Sequence, residues 1–390
     1  MKRRFTVKRI VILGSTGSIG RQALEVVDEH PDKYEITGLA AGSNVELLAE
    51  QINKYRPGYV AVKEEEGARK LRQLLKGNNK TEISYGRAGL LDLAGLDGID
   101  LVLVAVTGIA GLEPTLAALN KGTQVALANK ESLVAGGQLV MGKAQEAGIR
   151  ILPVDSEHSA IFQCLEEENR ACLDKLILTA SGGPFWDFSL EEMGKVTPQM
   201  ALKHPRWQMG PKVTIDSAGL INKGLEIIEA HWLFDVPYEQ IQVLIHPQTI
   251  IHSLVQYADG AVIAQLGLPD MRIPIQYAMS YPKRLPNSFP KLDLFHFNEL
   301  SLFEPDWERF PGLKLAFAAG KTGGTMPVVY NAANEAAVEL FLEGRIGFLT
   351  IPEIIEKAMQ RHVPNYKPDL DIILASDQWA RETVKQICLT

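Results

Sequence analysis

The chain has 390 residues, of which 46% are hydrophobic, and a formal net charge of −7. This composition is typical of a globular protein of two or three domains and excludes a disordered chain. The negative charge offers no electrostatic footprint for nucleic acid. No apolar run approaches the roughly 18 residues that a membrane span needs, so we expect neither nucleic-acid nor membrane binding.

Three cysteines, Cys164, Cys172 and Cys388, lack the spacing of a metal site. A sparse, odd set of cysteines is typical of a reducing compartment. The first predicted strand begins near Ile10, which leaves no room for the apolar core of a signal peptide. We therefore expect a cytoplasmic protein whose cysteines are packing residues.

The first 154 residues alternate short apolar runs with helical patterns. Strands that alternate with helices of this length predict βαβ units and a parallel, doubly wound sheet. We therefore expect a protein of the α/β class with an N-terminal Rossmann-like domain over residues 1–154. The predicted strands are residues 9–13, 34–41, 59–62, 100–106, 124–128 and 149–154, and the predicted helices are residues 19–30, 45–54, 68–76, 112–121 and 132–147.

The pattern changes after residue 157, where strands and helices no longer alternate regularly. We expect a central α/β catalytic and dimerisation domain over residues 155–285. A predicted hairpin of residues 250–257 and 261–266 turns at Asp259-Gly260, a common turn pair. An exposed edge of this hairpin would suit pairing with a second subunit. The other elements predicted here are helices at residues 160–168 and 225–234 and strands at residues 175–180 and 212–215.

Five prolines lie between residues 269 and 290, a spacing that suits an extended linker rather than a helix or strand. We place the linker itself at residues 286–311. The segments beyond it have helical periodicity and predict a C-terminal helical bundle over residues 312–390. Thr350 and Glu353 have the spacing of a capping box. The predicted helices are residues 313–319, 328–343, 352–362 and 371–387.

Gly14, Gly17 and Gly20 follow the first predicted strand with the spacing G-x-x-G-x-x-G. Glycines at a strand-to-helix turn let backbone amides approach the pyrophosphate of a dinucleotide. We therefore expect cofactor contacts from Thr16-Gly17-Ser18-Ile19. A tight turn that merely requires glycine is the alternative interpretation.

The end of the second predicted strand distinguishes NAD from NADP. An NAD site would place an acidic residue there, but the chain has Gly42-Ser43-Asn44 and no acid before Glu46. Small polar donors suit a 2′-phosphate, so we expect NADP. Asn44 also fits the N-cap of the next helix, and the two interpretations are compatible.

Asp155-Ser156-Glu157 follows the last strand of the predicted first domain. In an extended chain residues i and i+2 point to the same side, so both carboxylates would face one position. Facing carboxylates repel unless a positive charge lies between them, and oxygen ligands favour Mg²⁺ or Mn²⁺. We expect a metal here; two solvated acids are the alternative. His158, His246 and His252 lack the further ligands of a zinc site, and we interpret them as structural.

Polar groups follow several predicted strands at the carboxyl edge of the sheet, where ligands bind in open parallel sheets. At this edge Lys130 would donate a hydrogen bond to a substrate oxygen. The alternative interpretation of Lys130 is a solvated lysine on a loop. The groups at these strand ends are Thr16-Gly17-Ser18, Thr107-Gly108, Asn129-Lys130-Glu131, Asp155-Ser156-Glu157, Ser181-Gly182-Gly183 and Asp216-Ser217.

Ser217, Asn222 and Lys223 combine neutral donors with a lysine near a predicted helix start. This combination suits a phosphate group. Glu226 would offer a third carboxylate to the metal. A capped helix with a charged first turn is the alternative.

Residues 203–210 include Pro205 and Gly210 and lack clear periodicity. Trp207 and Met209 place large apolar side chains on this predicted loop. Such side chains suit a lid that closes over a ligand and excludes water. A loop held to the core by Trp207 is the alternative.

Several motifs occur in a defined order along essentially the whole chain. They are Gly14-Ser15-Thr16-Gly17-Ser18-Ile19-Gly20, Ala128-Asn129-Lys130-Glu131-Ser132, Val154-Asp155-Ser156-Glu157-His158, Ser181-Gly182-Gly183-Pro184-Phe185, His204-Pro205, Asn222-Lys223-Gly224-Leu225-Glu226 and Ile245-His246-Pro247-Gln248. Each is weakly specific alone. Together and in this order, they resemble the 1-deoxy-D-xylulose 5-phosphate reductoisomerase family.

The resemblance implies a homodimeric enzyme that uses NADPH and a divalent metal, Mg²⁺, Mn²⁺ or Co²⁺. It implies rearrangement of 1-deoxy-D-xylulose 5-phosphate and reduction to 2-C-methyl-D-erythritol 4-phosphate. This is a committed step of the non-mevalonate isoprenoid pathway, and fosmidomycin inhibits the family. A generic NADP-dependent dehydrogenase and a non-catalytic sensor of nucleotide and sugar phosphate are the alternatives.

The resemblance also implies roles for individual residues. Position 43 in the proposed 2′-phosphate site is serine, and a basic residue there would bind the 2′-phosphate more strongly than serine does. The implied metal ligands are Asp155, Glu157 and Glu226, and the implied catalytic residues are these three with Lys130 and His204. The implied substrate contacts are Lys130, Ser156, Glu157, Ser181, His204, Ser217, Asn222, Lys223 and Glu226. The implied NADPH contacts are Thr16, Gly17, Ser18, Ile19, Gly42, Ser43, Asn44, Asn129, Glu131 and Gly210.

Overall fold

The structure is a computed structural model that describes residues 7–75, 80–203 and 210–389. Backbone contacts group the chain into two compact units. The first unit comprises Met1–Ser132, Val140–Ser159 and Asp270–Phe289, and the second comprises Leu133–Leu139, Ala160–Pro269 and Pro290–Thr390. The predicted boundaries after residues 154, 285 and 311 follow a different division and stay a prediction.

The described strands form two sheets, one in each unit. The strands are β1 (Lys8–Leu13), β2 (Tyr34–Ala41), β3 (Tyr59–Val62), β4 (Glu82–Tyr85), β5 (Leu101–Val104), β6 (Gln124–Leu127), β7 (Leu152–Pro153), β8 (Leu173–Ala180), β9 (Ile241–Ile245), β10 (Ile251–Tyr257) and β11 (Val262–Leu266).

The helices of the described ranges connect these strands and form most of the C-terminal region. They are α1 (Ser18–Glu29), α2 (Val45–Tyr55), α3 (Glu65–Leu74), α4 (Gly86–Ala94), α5 (Leu112–Asn120), α6 (Lys130–Glu146), α7 (Ser156–Cys164), α8 (Leu190–Met193), α9 (Pro198–Ala201), α10 (Pro211–Ala218), α11 (Ile221–Phe234), α12 (Arg272–Ser280), α13 (Pro311–Thr322), α14 (Met326–Leu342), α15 (Thr350–Arg361) and α16 (Leu370–Ile387). None of these described helices has both the length and the hydropathy needed to cross a bilayer.

The sheet of the first unit has seven parallel strands in the order β4-β3-β2-β1-β5-β6-β7. β1 lies at its centre, and residues 10–13 of this strand are completely buried. Strand order reverses on either side of β1, because the chain first builds outward through β2 and then returns to add β5. Such a reversal places a ligand site beyond the carboxyl end of β1. The prediction of a doubly wound α/β fold is confirmed.

Two parts of this unit differ from the sequence prediction. The patterns do not predict β4 and α4, because β4 has only four residues and is buried on neither face. The proline-rich stretch from residue 269 to 290 is not wholly extended, since α12 lies within it. Pro274 occupies the first turn of α12, where the backbone N–H that proline lacks has no intrahelical acceptor.

Two further local predictions were wrong. Residues 212–215, predicted as a strand, lie within α10, whose first residue is Pro211. Their β-branched residues favour a strand only weakly, and tertiary context overrides such preferences. Thr350 is the first residue of α15 rather than its N-cap, and no side chain caps this helix. The predicted capping box is therefore not formed.

The sheet of the second unit has four strands in the order β11-β10-β8-β9. β10 is antiparallel to both neighbours, and β8 and β9 are parallel. One hydrophobic core joins this sheet to the helices that follow it, and it includes the fully buried Leu176, Leu225, Leu313 and Phe341. The predicted C-terminal helices are present, and they share this core with the sheet. Burial of each large apolar side chain contributes roughly 1.5–3 kcal/mol.

His252, a buried residue of β10, should make the protein less stable in acid. Burial lowers the pKa of His252 to about 4 from 6.5, and the charge of Lys223 acts in the same direction. Between these two pH values the unfolded chain binds a proton that the folded chain does not. The stabilising contribution is therefore complete above pH 6.5 and is lost as the pH falls toward 4.

We expect the free energy of unfolding to fall by about 2 kcal/mol more between pH 7.5 and 5 in the wild type than in His252→Gln. Urea unfolding at the two pH values measures this difference. His296→Gln, at an exposed position, is the control and should keep the wild-type dependence. Equal dependence in the wild type and His252→Gln would contradict the prediction.

Candidate active site

The predicted cofactor turn connects β1 to α1 with a conformation that requires glycine. Gly14 has φ +95, and a Cβ at this position would lie 2.5 Å from the carbonyl oxygen of Ala105. A Cβ on Gly20 would overlap the carbonyl oxygen of Gly14. Gly17 is the N-cap of α1, and no side chain caps this helix. Its first backbone N–H groups therefore form the kind of anion site that helix starts provide.

A buried glutamine holds this turn in place. Ser15 Oγ donates to Gln51 Oε1 at 2.7 Å, and Gln51 Nε2 donates to the Ser15 carbonyl oxygen at 2.9 Å. Both residues are buried. The pair fixes the turn against α2. Sequence reasoning missed Gln51, because a glutamine inside a predicted helix has no pattern that distinguishes it from a surface residue.

The second predicted cofactor segment follows β2 at the same edge of the sheet. Gly42, Ser43 and Asn44 are exposed. Asn44 Oδ1 accepts a hydrogen bond from the Leu47 N–H at 3.1 Å and caps α2, as the sequence predicted. Glu46, the first acid after the strand, forms an ion pair with Lys70. The carboxylate that would favour NAD is thus engaged elsewhere.

Asn129, the next predicted cofactor residue, braces two strand ends. Its Nδ2 donates at 2.9 Å to the carbonyl oxygens of Val106 and Gly108, which follow β5. Its Oδ1 accepts from the Ser132 N–H at 2.9 Å and so caps α6. Glu131 is buried beside it and accepts from Asn129 Nδ2 at 3.0 Å. These bonds fix the loop between β6 and α6.

The extended geometry predicted for Asp155 and Glu157 is wrong. β7 ends at Pro153 and α7 begins at Ser156, so Glu157 lies in the first turn of a helix. In a helix residues i and i+2 are rotated by about 200° from one another. Alternation along an extended chain therefore cannot be the reason that these two carboxylates would face one position.

Within the first unit Lys130 and Asp155 form a mostly buried ion pair. Lys130 Nζ lies 2.6 Å from Asp155 Oδ2, and the two side chains are only 11% and 13% exposed. His158, interpreted as structural, lies nearby with Nδ1 3.8 Å from the same oxygen. Ser156 Oγ donates to Glu157 Oε2 at 2.6 Å. The structure thus places four of the predicted site residues, Lys130, Asp155, Ser156 and Glu157, where α6 and α7 begin after β6 and β7.

In the second unit the predicted substrate contacts Ser181 and Ser217 lie on segments that pack together. Gly182 and Gly183 follow β8 with φ +84 and +72, and the Gly183 N–H donates to Ser181 Oγ at 3.2 Å. A Cβ on Gly183 would lie 2.6 Å from the carbonyl oxygen of Ser217. This position admits only glycine because the loop after β8 presses directly on α10.

Asn222, Lys223 and Glu226 form one cluster on the first two turns of α11. Asn222 Nδ2 donates to Glu226 Oε1 at 2.5 Å, and Lys223 Nζ pairs with Glu226 Oε2. The side chains of Lys223 and Glu226 are 4% and 1% exposed. Leu220, at φ +55, is the N-cap, and no side chain caps this helix. The alternative interpretation, a capped helix with a charged first turn, fails because no side chain caps α11.

The remaining predicted site residues lie partly outside the described ranges. His204, Trp207 and Met209 belong to residues 204–209, which the structure does not describe. Gly210 is the exposed N-cap of α10, and its carbonyl oxygen accepts a hydrogen bond from Thr214 Oγ1 at 2.9 Å. The roles predicted for these residues stay predictions.

Family models match most of the chain. The model of 1-deoxy-D-xylulose 5-phosphate reductoisomerase matches residues 10–137, and the model of its C-terminal domain matches residues 151–234. A third model, of the DXP reductoisomerase C-terminal domain, matches residues 266–383.

Relatives with this name match over nearly their full length. The protein from Pelotomaculum thermopropionicum is 56% identical over 96% of this chain and 97% of its own length. The protein from Heliobacterium modesticaldum is 55% identical over 96% of each chain.

Solved structures agree in fold. The reductoisomerase from Zymomonas mobilis in complex with NADPH is 42% identical, with a TM-score of 0.92 over 98% of this chain and 99% of its own. A DOX-P reductoisomerase in complex with NADPH, fosmidomycin and magnesium is 38% identical, with a TM-score of 0.93 over 98% of each chain. These matches show that the chain belongs to the 1-deoxy-D-xylulose 5-phosphate reductoisomerase family.

Proposed function

We propose that the protein converts 1-deoxy-D-xylulose 5-phosphate to 2-C-methyl-D-erythritol 4-phosphate with NADPH and a divalent metal. The observation that carries this function is the 56% identity to a reductoisomerase across nearly the whole of both chains. The geometry adds a glycine turn at a helix start and buried carboxylates paired with lysines. The reaction rearranges the carbon skeleton and then reduces the resulting aldehyde.

NADPH binds at the carboxyl edge of the first unit's sheet and supplies the hydride. The uncapped start of α1 and the Gly42-Ser43-Asn44 segment support this site, and so does the NADPH in the related Zymomonas mobilis structure. The lack of an acid in the Gly42-Ser43-Asn44 segment favours NADPH over NADH. The proposed contacts are Thr16, Gly17, Ser18, Ile19, Gly42, Ser43, Asn44, Asn129, Glu131 and Gly210.

Asp155, Glu157 and Glu226 are the proposed metal ligands. All three offer carboxylate oxygens, the donors that Mg²⁺ and Mn²⁺ prefer, and a related structure contains magnesium. Lys130 and Lys223 pair with two of these acids and thereby stabilise their ionised, ligating form. A metal held there supplies Lewis-acid polarisation of a carbonyl oxygen.

The other proposed contacts position the sugar phosphate. Ser181, Ser217, Asn222 and Lys223 combine hydroxyl, amide and ammonium donors, which suit the phosphate group. Lys130 donates to a substrate oxygen, where its positive charge stabilises negative charge that develops in the rearrangement. The further proposed substrate contacts are Ser156, Glu157, His204 and Glu226, of which His204 is outside the described residues.

A homodimer is the proposed assembly. β11 is an edge strand of the four-stranded sheet, and Val262 and Ile263 on it are 49% and 38% exposed. An apolar edge strand of this kind pairs readily with another chain. The cytoplasmic location stays a prediction that rests on the sparse cysteines.

An assay of NADPH oxidation tests the proposed function. We expect oxidation only when 1-deoxy-D-xylulose 5-phosphate is present, and a decrease of at least about 100-fold in EDTA that excess Mg²⁺ reverses. The absorbance of NADPH at saturating substrate measures the rate. Oxidation that EDTA does not affect would contradict the metal requirement, and binding of both ligands without oxidation would support a sensor instead.

Glu226→Gln should lower kcat by on the order of 100-fold, because the substitution removes a charged oxygen ligand. We expect NADPH affinity to stay within about twofold, since Glu226 lies outside the proposed NADPH contacts. Stopped-flow turnover and NADPH fluorescence titration measure the two quantities. Glu113→Gln is a matched control, because Glu113 is also a mostly buried acid in an ion pair, with Arg87. Wild-type turnover of Glu226→Gln at saturating Mg²⁺ would contradict the proposal.

Sedimentation velocity should give the mass of two chains for the wild type. Val262→Asp with Ile263→Asp should shift the distribution toward one chain, because two like charges on the edge strand oppose pairing. Asp substitutions at Leu190 and Met200, two exposed apolar residues on the short helices α8 and α9, serve as the control. A wild-type mass of one chain would refute the homodimer.

A further inference from the structure

Helix α14 carries three polar side chains in an environment without solvent. Tyr330, Asn331 and Asn334 are all 0% exposed, and most of their neighbours in the helix are apolar. A buried amide or hydroxyl destabilises the fold unless it is hydrogen-bonded. Their partners therefore indicate what these side chains contribute.

Asn334 binds the buried carboxylate of Asp216. Asn334 Nδ2 donates to Asp216 Oδ1 at 2.9 Å, and Lys212 Nζ lies 2.8 Å from Asp216 Oδ2. Asp216 is completely buried. Asp216 is also the only hydrogen-bond partner of the Asn334 side chain among the described residues. This carboxylate alone accounts for the amide at position 334.

Asp216 immediately precedes Ser217, a proposed phosphate contact, in the last turn of α10. The backbone then reverses at Gly219 and Leu220, and Leu220 adopts the left-handed conformation with φ +55. α11 starts directly afterwards and carries Asn222 and Lys223. A shift of Asp216 would thus move Ser217 and the junction that sets the start of α11.

Tyr330, one helical turn before Asn334, contacts the other side of this junction. Its hydroxyl donates to the carbonyl oxygen of Gly312 at 3.0 Å. A Cβ on Gly224, next to Lys223, would lie 2.6 Å from that hydroxyl oxygen. Burial, with the charge of Asp216, raises the pKa of Tyr330 well above its ordinary value, so the hydroxyl remains a donor. One face of α14 therefore bonds to α10 through Asn334 and to α13 through Tyr330, whose hydroxyl also packs against α11 at Gly224.

We infer that Asp216, held by Asn334 and Lys212, is a positioning residue that fixes Ser217 and the start of α11 for binding of the substrate phosphate. The inference rests on the proposed roles of Ser217, Asn222 and Lys223. Asp216 is not one of the proposed substrate contacts. Its charge matters because a buried carboxylate that accepts from both an amide and an ammonium group is held more firmly than a neutral group.

Steady-state kinetics of the full-length enzyme with NADPH and Mg²⁺ test this inference. Asn334→Leu keeps the side-chain volume and removes the donor to Asp216, whereas Asp216→Asn keeps an acceptor and removes the charge. We expect each variant to raise KM for 1-deoxy-D-xylulose 5-phosphate by about tenfold. KM for NADPH should change by less than twofold and kcat by less than about threefold.

Asn331→Leu is the matched control. Asn331 is equally buried on the same helix, but its amide donates to Glu335 at 3.1 Å, within α14. Its loss should lower thermal stability as Asn334→Leu does and leave KM for the substrate unchanged. Asp216→Asn provides a second test of the same prediction if Asn334→Leu does not fold.

Ser217→Ala, measured in parallel, separates the two levels of the proposal. If Ser217→Ala raises KM for the substrate but Asp216→Asn and Asn334→Leu change it no more than Asn331→Leu does, the positioning role is overturned and the phosphate site stands. If Ser217→Ala leaves that KM unchanged, the phosphate site fails and the inference fails with it. If KM for the substrate rises in Ser217→Ala, Asp216→Asn and Asn334→Leu but not in Asn331→Leu, both the phosphate site and the positioning role are supported.

Discussion

The buried lysine–carboxylate pairs are the interaction on which the candidate site depends. Lys130 neutralises Asp155 in the first unit, and Lys223 neutralises Glu226 in the second. An ionised carboxylate removed from water without such a partner costs several kcal/mol. The two lysines offset this cost where the fold places Asp155 and Glu226 largely away from water. We propose that these pairs keep the two acids ionised and able to bind a cation.

Parallel strands and helix starts explain how these groups reach their positions. Lys130 opens α6 directly after β6, and Asp155 follows β7, the neighbouring strand. The glycine turn opens α1 after β1 in the same sheet. Because every strand of this sheet runs in one direction, the ends of the strands lie at one edge. Backbone N–H groups at the helix starts and side chains on the loops are then available together at that edge.

Glycine and buried amides determine how closely these loops pack. Gly183 lets the loop after β8 press on α10, and Gly224 lets α11 approach Tyr330. Gln51 fixes the cofactor turn, and Asn129 joins the loops after β5 and β6. Each buried amide satisfies backbone groups that would otherwise remain without a partner. The loops that carry the proposed contacts are thus held by hydrogen bonds as well as by apolar packing.

Local patterns were sufficient for much of this protein. The period-2 and period-3.6 patterns predicted most of the first sheet, the hairpin and the C-terminal helices, because each pattern reflects burial of one face. Glycine spacing predicted the cofactor turn, and Asn44 predicted a helix cap, since both depend on neighbouring residues only. The same local reasoning failed at residues 212–215, at α12 and at Asp155, where the surrounding packing selected a helix or a helix start over an extended chain.

The sequence by itself therefore determined the fold class, the family and the identity of the proposed site residues. Only the tertiary structure decided which distant side chains hold the segments that carry these site residues in place. Asn334 lies 118 positions from Asp216 in the chain, and Gln51 lies 36 positions from Ser15. Hydrogen bonds over such separations leave no periodic or spacing pattern in one sequence, because they form only after the helices that carry them have packed.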